Sequence, residues 1–155
     1  FRQTVASIFS NPKMSPTIMQ EGHLTNTRLR AQASSGDYLI AAQDTTYYNY
    51  SGHKQIEGLG VIQGNVKGVI QHNVLLMNEL GSPLGLIDQQ CWTRKGGKDF
   101  EGKESLKWLN GLKAVNTHLS ECDKKVVLVA DREADIFHFF KAKRAAFVEL
   151  LVRVH

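Results

Sequence analysis

The chain has 155 residues, 42% of them hydrophobic and 22% charged, with a formal net charge of +4. That length suits one ordinary domain, and the apolar content is enough to build a core, which excludes a disordered tail. No apolar run approaches the length of a membrane span and no secretory signal architecture opens the chain, so no membrane partner is expected.

The positive charge is compatible with a nucleic-acid partner without being diagnostic of one. Its carriers sit in small groups, Arg94 with Lys95 and Lys98, Lys103 with Lys107, and Lys141 with Lys143 and Arg144, and most are expected on a solvated surface. The two cysteines, Cys91 and Cys122, form no metal-like spacing with each other or with the six histidines and read as reduced thiols.

In chain order, Phe1, Val5, Ile8 and Phe9 have helical spacing, and Asn11-Pro12 stops that helix. Ser15-Pro16 is an N-cap and N1 pair for a second short helix, and Thr25 to Ala33 suggests a third. Residues 1–36 therefore read as a helical lead-in, the remnant of a longer N-terminal region. A first strand is expected over Tyr38 to Asp44, and the glycine-rich stretch Tyr47 to Val66 reads as a loop or irregular hairpin without a phosphate-loop signature. Val69 to Met77 and Leu84 to Thr93 flank turn residues and predict an antiparallel hairpin, with Asp88 facing outward or lying at the edge.

Arg94 to Gly102 reads as a polar loop. Trp108, Leu112, Val115 and Leu119 then recur at helical spacing within an amphipathic helix over Glu104 to Leu119, Trp108 being a core residue. A buried strand over Lys125 to Ala130, a helix from Glu133 to about Arg144 and a strand from Phe147 to Val154 complete the pattern. The order β-β-β-α-β-α-β predicts an α/β fold with a mixed five-stranded sheet and flanking helices.

Two strands of this pattern end in an aspartate. Val126 to Ala130 runs into Asp131-Arg132-Glu133-Ala134-Asp135, and Tyr38 to Ala42 runs into Gln43-Asp44-Thr45-Thr46. Asp131 also suits a helix N-cap, with Glu133 and Asp135 favoured in the first turn by the helix dipole. If the strands are neighbours, the two carboxylates meet at one end of the sheet, where a hard divalent cation finds the oxygen ligands it needs. Thr45 and Thr46 are expected to cap backbone groups after the strand, and His138 to lie on a helix face.

These two motifs resemble the first and second catalytic-aspartate motifs of the IS4-type DDE transposases. Ser10-Asn11-Pro12, Glu104-Ser105-Leu106-Lys107-Trp108-Leu109 and Phe147 to Arg153 resemble further segments of that family in the same order. The resemblance implies a ribonuclease H-like fold, with residues 37–155 forming a catalytic core truncated before its third acidic residue. It implies DNA transposition by metal-dependent phosphodiester hydrolysis and strand transfer. Asp44 and Asp131 would be catalytic residues and ligands of a two-metal site for Mg²⁺ or Mn²⁺, with Arg132 and Arg153 near DNA. Double-stranded transposon ends would be the partner, a homodimer the full-length assembly, and the nucleoid of a bacterial cytoplasm the location. The family's third ligand, a glutamate in a Tyr-x-x-Arg-x-x-x-Glu motif, has no match after Asp131, so these 155 residues are expected to be inactive alone. The alternatives are a non-catalytic DNA-binding or oligomerising fragment and, with less in its favour, a phosphate-accepting receiver domain.

Overall fold

The computed structural model describes residues 2–94 and 104–154. It is an α/β structure built on one mixed six-stranded sheet with helices packed against it. Helices α1 (Arg2–Phe9) and α2 (Pro16–Ala33) precede strands β1 (Tyr38–Asn49), β2 (Gly60–Gln63), β3 (Val66–Asn78) and β4 (Pro83–Trp92). Helix α3 (Leu106–His118), β5 (Lys125–Ala130), the short helix α4 (Phe137–Lys141) and β6 (Val148–Val152) follow. The sheet order is β2-β3-β1-β5-β6, and β4 also pairs with β3. β1, β5 and β6 are parallel to one another, whereas β3 runs antiparallel to β1, β2 and β4.

One face of the sheet is the core. Leu39 and Ala41 of β1, Val74 and Leu76 of β3, Val126 and Leu128 of β5 and Val148 of β6 alternate onto it, as strand geometry requires. Trp108, Leu112 and Val115 of α3, Phe139 of α4 and Ala31 of α2 pack against them. On the opposite face Ile40, Ala42, Leu75, Met77, Val127 and Val129 are only half-buried.

The predicted N-cap holds: Ser15 accepts a hydrogen bond from the Ile18 amide at 3.2 Å, with Pro16 at the first helical position. Four expectations are corrected. The two short helices expected after Ser15 are one, because α2 continues through Gly22 and seats Thr27 and Ala31 against the sheet. The first strand runs past Asp44 to Asn49, carried by antiparallel pairing with β3 as far as Gly68. The sheet has six strands, not five, since Gly60–Gln63 forms a short strand inside the stretch read as a loop. The helix expected from Glu133 to Arg144 is broken: Asp135 leaves the helical region at ψ 68°, Ile136 is extended, and only Phe137–Lys141 is α-helical. Of the loop expected over Arg94 to Gly102, residues 95–102 lie outside the described residues, and so does Lys103 after it.

Gly111 shows how closely α3 approaches the sheet. A Cβ there would run into the Gln43 side chain, with a Val74 methyl 2.9 Å away. Helix propensity alone favours alanine over glycine by about 1 kcal/mol. The overpacking term, about 1–3 kcal/mol, opposes and exceeds it. Gly111→Ala is therefore expected to lower the urea midpoint with an unchanged slope; a raised midpoint would show that α3 stands further from β1.

Candidate functional site

The parallel register decides what meets at the carboxyl ends of the strands. β1 and β5 pair from Tyr38 with Lys125 to Ala42 with Val129, and the same offset carried two residues on sets Asp44 beside Asp131. β5 and β6 pair as far as Ala130 with Val152, and the Arg153 amide still donates to the Ala130 carbonyl at 3.1 Å, so Arg153 falls beside Asp131. On the other side Asp44 pairs with Asn73 of β3, which pairs with Gln89 of β4. The row Gln89, Asn73, Asp44, Asp131, Arg153 thus crosses five strands about 4.8 Å apart. By the period of two it lies on the face opposite the core, because Gln43 and Ala130 are buried and their neighbours Asp44 and Asp131 are exposed. Within the row, Asn73 Oδ1 accepts from the side-chain amides of Gln71 at 2.8 Å and Gln89 at 3.3 Å.

Asp131 remains in extended backbone (φ −77°, ψ −174°), and its Oδ1 accepts from the Glu133 amide at 2.9 Å. The expectation of a strand-end residue and that of a cap are both met by one side chain, since a capping carboxylate keeps a second oxygen. Arg132 and Arg153 are exposed, Arg132 in the turn after Asp131 and Arg153 at the end of β6. His138 is exposed on α4.

A polar layer supports this row from the core side. His72 is fully buried on β3, with Nδ1 2.9 Å from the Thr45 hydroxyl and Nε2 3.2 Å from Gln43 Oε1. An Nε2–H tautomer satisfies both contacts, donating to Gln43 and accepting from Thr45. The residues on either side of Asp44 are thereby tied to the neighbouring strand. Thr45 is therefore a cross-strand partner within a continuing strand, not the cap expected after one. Gln43 is 4% exposed, and its Nε2 has no hydrogen-bond partner. The indole of Trp108 meets the His72 ring edge-to-face, 4.6 Å between centroids.

Lys107, 7% exposed, continues the layer to the second aspartate. Its ammonium lies 5.1 Å from the Trp108 ring centroid and 3.0 Å from Glu133 Oε2. Glu133 is the residue whose amide is held by Asp131. One chain of contacts therefore runs under the sheet end from the flanks of Asp44 through His72, Trp108, Lys107 and Glu133 to Asp131. Sequence reasoning missed this layer. His72 alternates among apolar residues within a strand, and Lys107 precedes the core residue Trp108, yet neither pattern specifies a polar partner.

Away from the row, Asp88 lies on β4, which pairs only with β3, and so at the sheet edge as one of the two expectations had it; it turns to the core side, half-buried, rather than outward, and accepts from Gln90 at 2.7 Å. Arg94 and Glu104 form a fork, Nε to Oε1 at 2.6 Å and Nη2 to Oε2 at 2.7 Å. The hydrogen bonds from Arg94 hold the Glu104 carboxyl below its ordinary range. No group of three or more His, Cys, Asp or Glu side chains is arranged to hold a metal ion among the described residues. Nor is any described helix long and apolar enough to cross a membrane. No protein-family model matches the chain.

Burial, with the Lys107 charge adding to it, pushes the His72 pKa down from 6.5 to about 4. The unfolded chain therefore takes up a proton here that the folded chain refuses between those values. The stabilisation is complete above pH 6.5 and is lost as pH falls to 4, about 3 kcal/mol in all. Denaturant melts across that window are expected to show the loss, and His72→Gln to remove most of it; an unchanged slope in the variant would assign it elsewhere.

The Lys107–Glu133 pair is asymmetric, since Lys107 is buried and the Glu133 side chain is 54% exposed. Glu133→Gln leaves a buried charge without its counter-ion and is expected to cost about 1–3 kcal/mol. Lys107→Met leaves an exposed carboxylate that water solvates and should cost less. Thermal melts of the two variants give the order, and the reverse order would place the ammonium in water.

Proposed function

We propose that the chain is part of the ribonuclease H-like catalytic core of an IS4-type DDE transposase, acting in metal-dependent phosphodiester hydrolysis and strand transfer at transposon DNA ends. The observation that carries this reading is the parallel pairing of β1 with β5, which runs as far as Ala42 with Val129 and whose offset sets Asp44, inside β1, level with Asp131, just past the end of β5. Sheet order supports it as well: β4, β3, β1, β5 and β6 are neighbours in that order, with β1, β5 and β6 parallel, β3 reversed against β1 and β4 reversed again.

The row fits a hard cation. Its ionisable donors are two exposed carboxylates, with neither thiolate nor imidazole among them, and oxygen-only donors suit Mg²⁺ or Mn²⁺. Two such ions would activate the attacking oxygen and stabilise the leaving one in an in-line displacement. The chain's own contribution is to hold the two carboxylates at adjacent positions and to give them a rigid base. Arg132 and Arg153 stand beside them as phosphate contacts, orienting the DNA rather than reading its sequence. The family's third ligand, a glutamate in a Tyr-x-x-Arg-x-x-x-Glu motif, has no match among the residues after Asp131. The alternative reading is a non-catalytic DNA-binding or oligomerising fragment of such a protein. The parent protein would work as a homodimer on double-stranded ends in the bacterial nucleoid.

Mn²⁺ titration monitored by electron paramagnetic resonance tests the site. The native chain is expected to bind Mn²⁺ weakly, Mg²⁺ to compete, and Asp44→Asn or Asp131→Asn each to weaken binding at least about tenfold, the loss expected when one of two carboxylate ligands is removed. Binding that survives both substitutions would place the ion elsewhere, and DNA nicking by the 155 residues that both abolish would show a complete site.

A further inference from the structure

β1 continues beyond the candidate site, and its outward face changes character. From Asp44 the same-face positions are Thr46, Tyr48 and then Tyr50, whose amide bonds the Lys67 carbonyl at 2.9 Å and so extends the pairing with β3. At about 3.4 Å per residue, Tyr48 stands about 14 Å and Tyr50 about 20 Å from Asp44 along the strand. The two rings are nearly parallel, 11° between planes and 6.4 Å between centroids, and His53 meets Tyr50 edge-on at 5.9 Å. Tyr48 is 37% exposed, more than a core aromatic retains. The adjacent β3 position on the same face is Lys67, exposed, and Lys54 is exposed in the turn that follows Tyr50.

Gly68 allows this arrangement. A side chain there would run into the Tyr48 carbonyl oxygen and also press on Ile62, so only glycine lets β1 lie this close to the start of β3. The result is a pair of near-parallel tyrosine rings with Lys67 at the adjacent β3 position, on the same face of β1 as Asp44. Rings of this kind offer π-faces to unpaired bases, and nearby ammonium groups answer the phosphates between them. Within a duplex the base faces are stacked on one another and are not open to the rings.

We infer that Tyr48, Tyr50 and Lys67 form a platform for unpaired DNA, which holds a frayed or single-stranded end on the face that leads to Asp44 and Asp131. The direction of that lead rests on the reading of the two aspartates as the phosphodiester site, whereas the stacking itself does not.

The test is fluorescence anisotropy with a labelled blunt duplex and the same duplex carrying a short single-stranded tail. The native chain is expected to bind the tailed DNA about tenfold more tightly, the worth of one stacked base. Tyr48→Ala with Tyr50→Ala should erase that preference while leaving blunt-duplex affinity unchanged, and the corresponding phenylalanine pair should retain it. Lys67→Ala should weaken both complexes and flatten the salt dependence by about one counterion. Equal affinity for the two DNAs, or a preference that survives the alanine pair in a variant that melts like the native chain, overturns the platform. Mn²⁺ binding, measured on the same samples, reports on the aspartates alone. A tail preference without metal binding removes the site reading and leaves the platform standing; metal binding without a tail preference does the opposite.

Discussion

A strand buried on one side can slip against its neighbour only in steps of two residues, because a single step turns its apolar side chains to water and its polar ones to the core. In β1, β5 and β6 that restriction acts three times over. Leu39, Ala41, Val126, Leu128 and Val148 must all face α3 and α4, and once they do, the residues just beyond them can shift only by two positions at a time, a step that would unpair part of the apolar set. Asp44, Asp131 and Arg153 share one level because the apolar segments below them share one register. Their position is a by-product of core packing some distance away, which is a cheap way to hold charged groups together without burying them.

The layer beneath the row has a different character. A histidine, a glutamine and a lysine are buried where apolar side chains would pack with less risk, and the Gln43 amide is left without a partner. Buried polar groups add little net stability but have few satisfactory arrangements, so they narrow the set of conformations open to the strands that carry them. The edge-to-face contact of Trp108 with His72, and its position beneath the Lys107 ammonium, let one large ring serve both halves of the layer. The same desolvation that makes the imidazole hard to protonate keeps it a neutral donor and acceptor at ordinary pH.

The sequence made the central strands easy to find. Continuous or alternating apolar runs at Leu39, Val74 and Val126 dominate their windows, and the hairpin turn at Asn78 to Ser82 has unambiguous turn chemistry. Asp131 was legible for the same reason, since it closes such a run, whereas Asp44 ends an apolar run but not its strand, which continues to Asn49. What escaped were features set by long-range pairing. Tyr47 to Asn49 belong to β1 because β3 lies alongside them, and β2 is four residues among glycines, with a register shift against β3. The helix expected after Asp131 fails because its aspartate closes a tight turn on Glu133 before the chain extends again at Ile136. Lys107 and His72 were invisible as a layer because each looks ordinary in its own segment and acquires a role only through Glu133 and Thr45, distant in the chain.

The cysteines offer a spectroscopic handle on the row. Cys122 is buried, whereas Cys91 is exposed on β4 and pairs with Gln71, which in turn pairs with Thr46. It therefore sits one step outward from Gln89 on the face that carries Asp44, two strand spacings, or about 10 Å, from β1. Partial desolvation pushes its thiol pKa up, so alkylation is slow at neutral pH and quickens in mildly alkaline buffer. A nitroxide attached there would act as a molecular ruler: it would lie close enough for dipolar coupling to any paramagnetic ion that the proposed site took up, and needs no engineered attachment point.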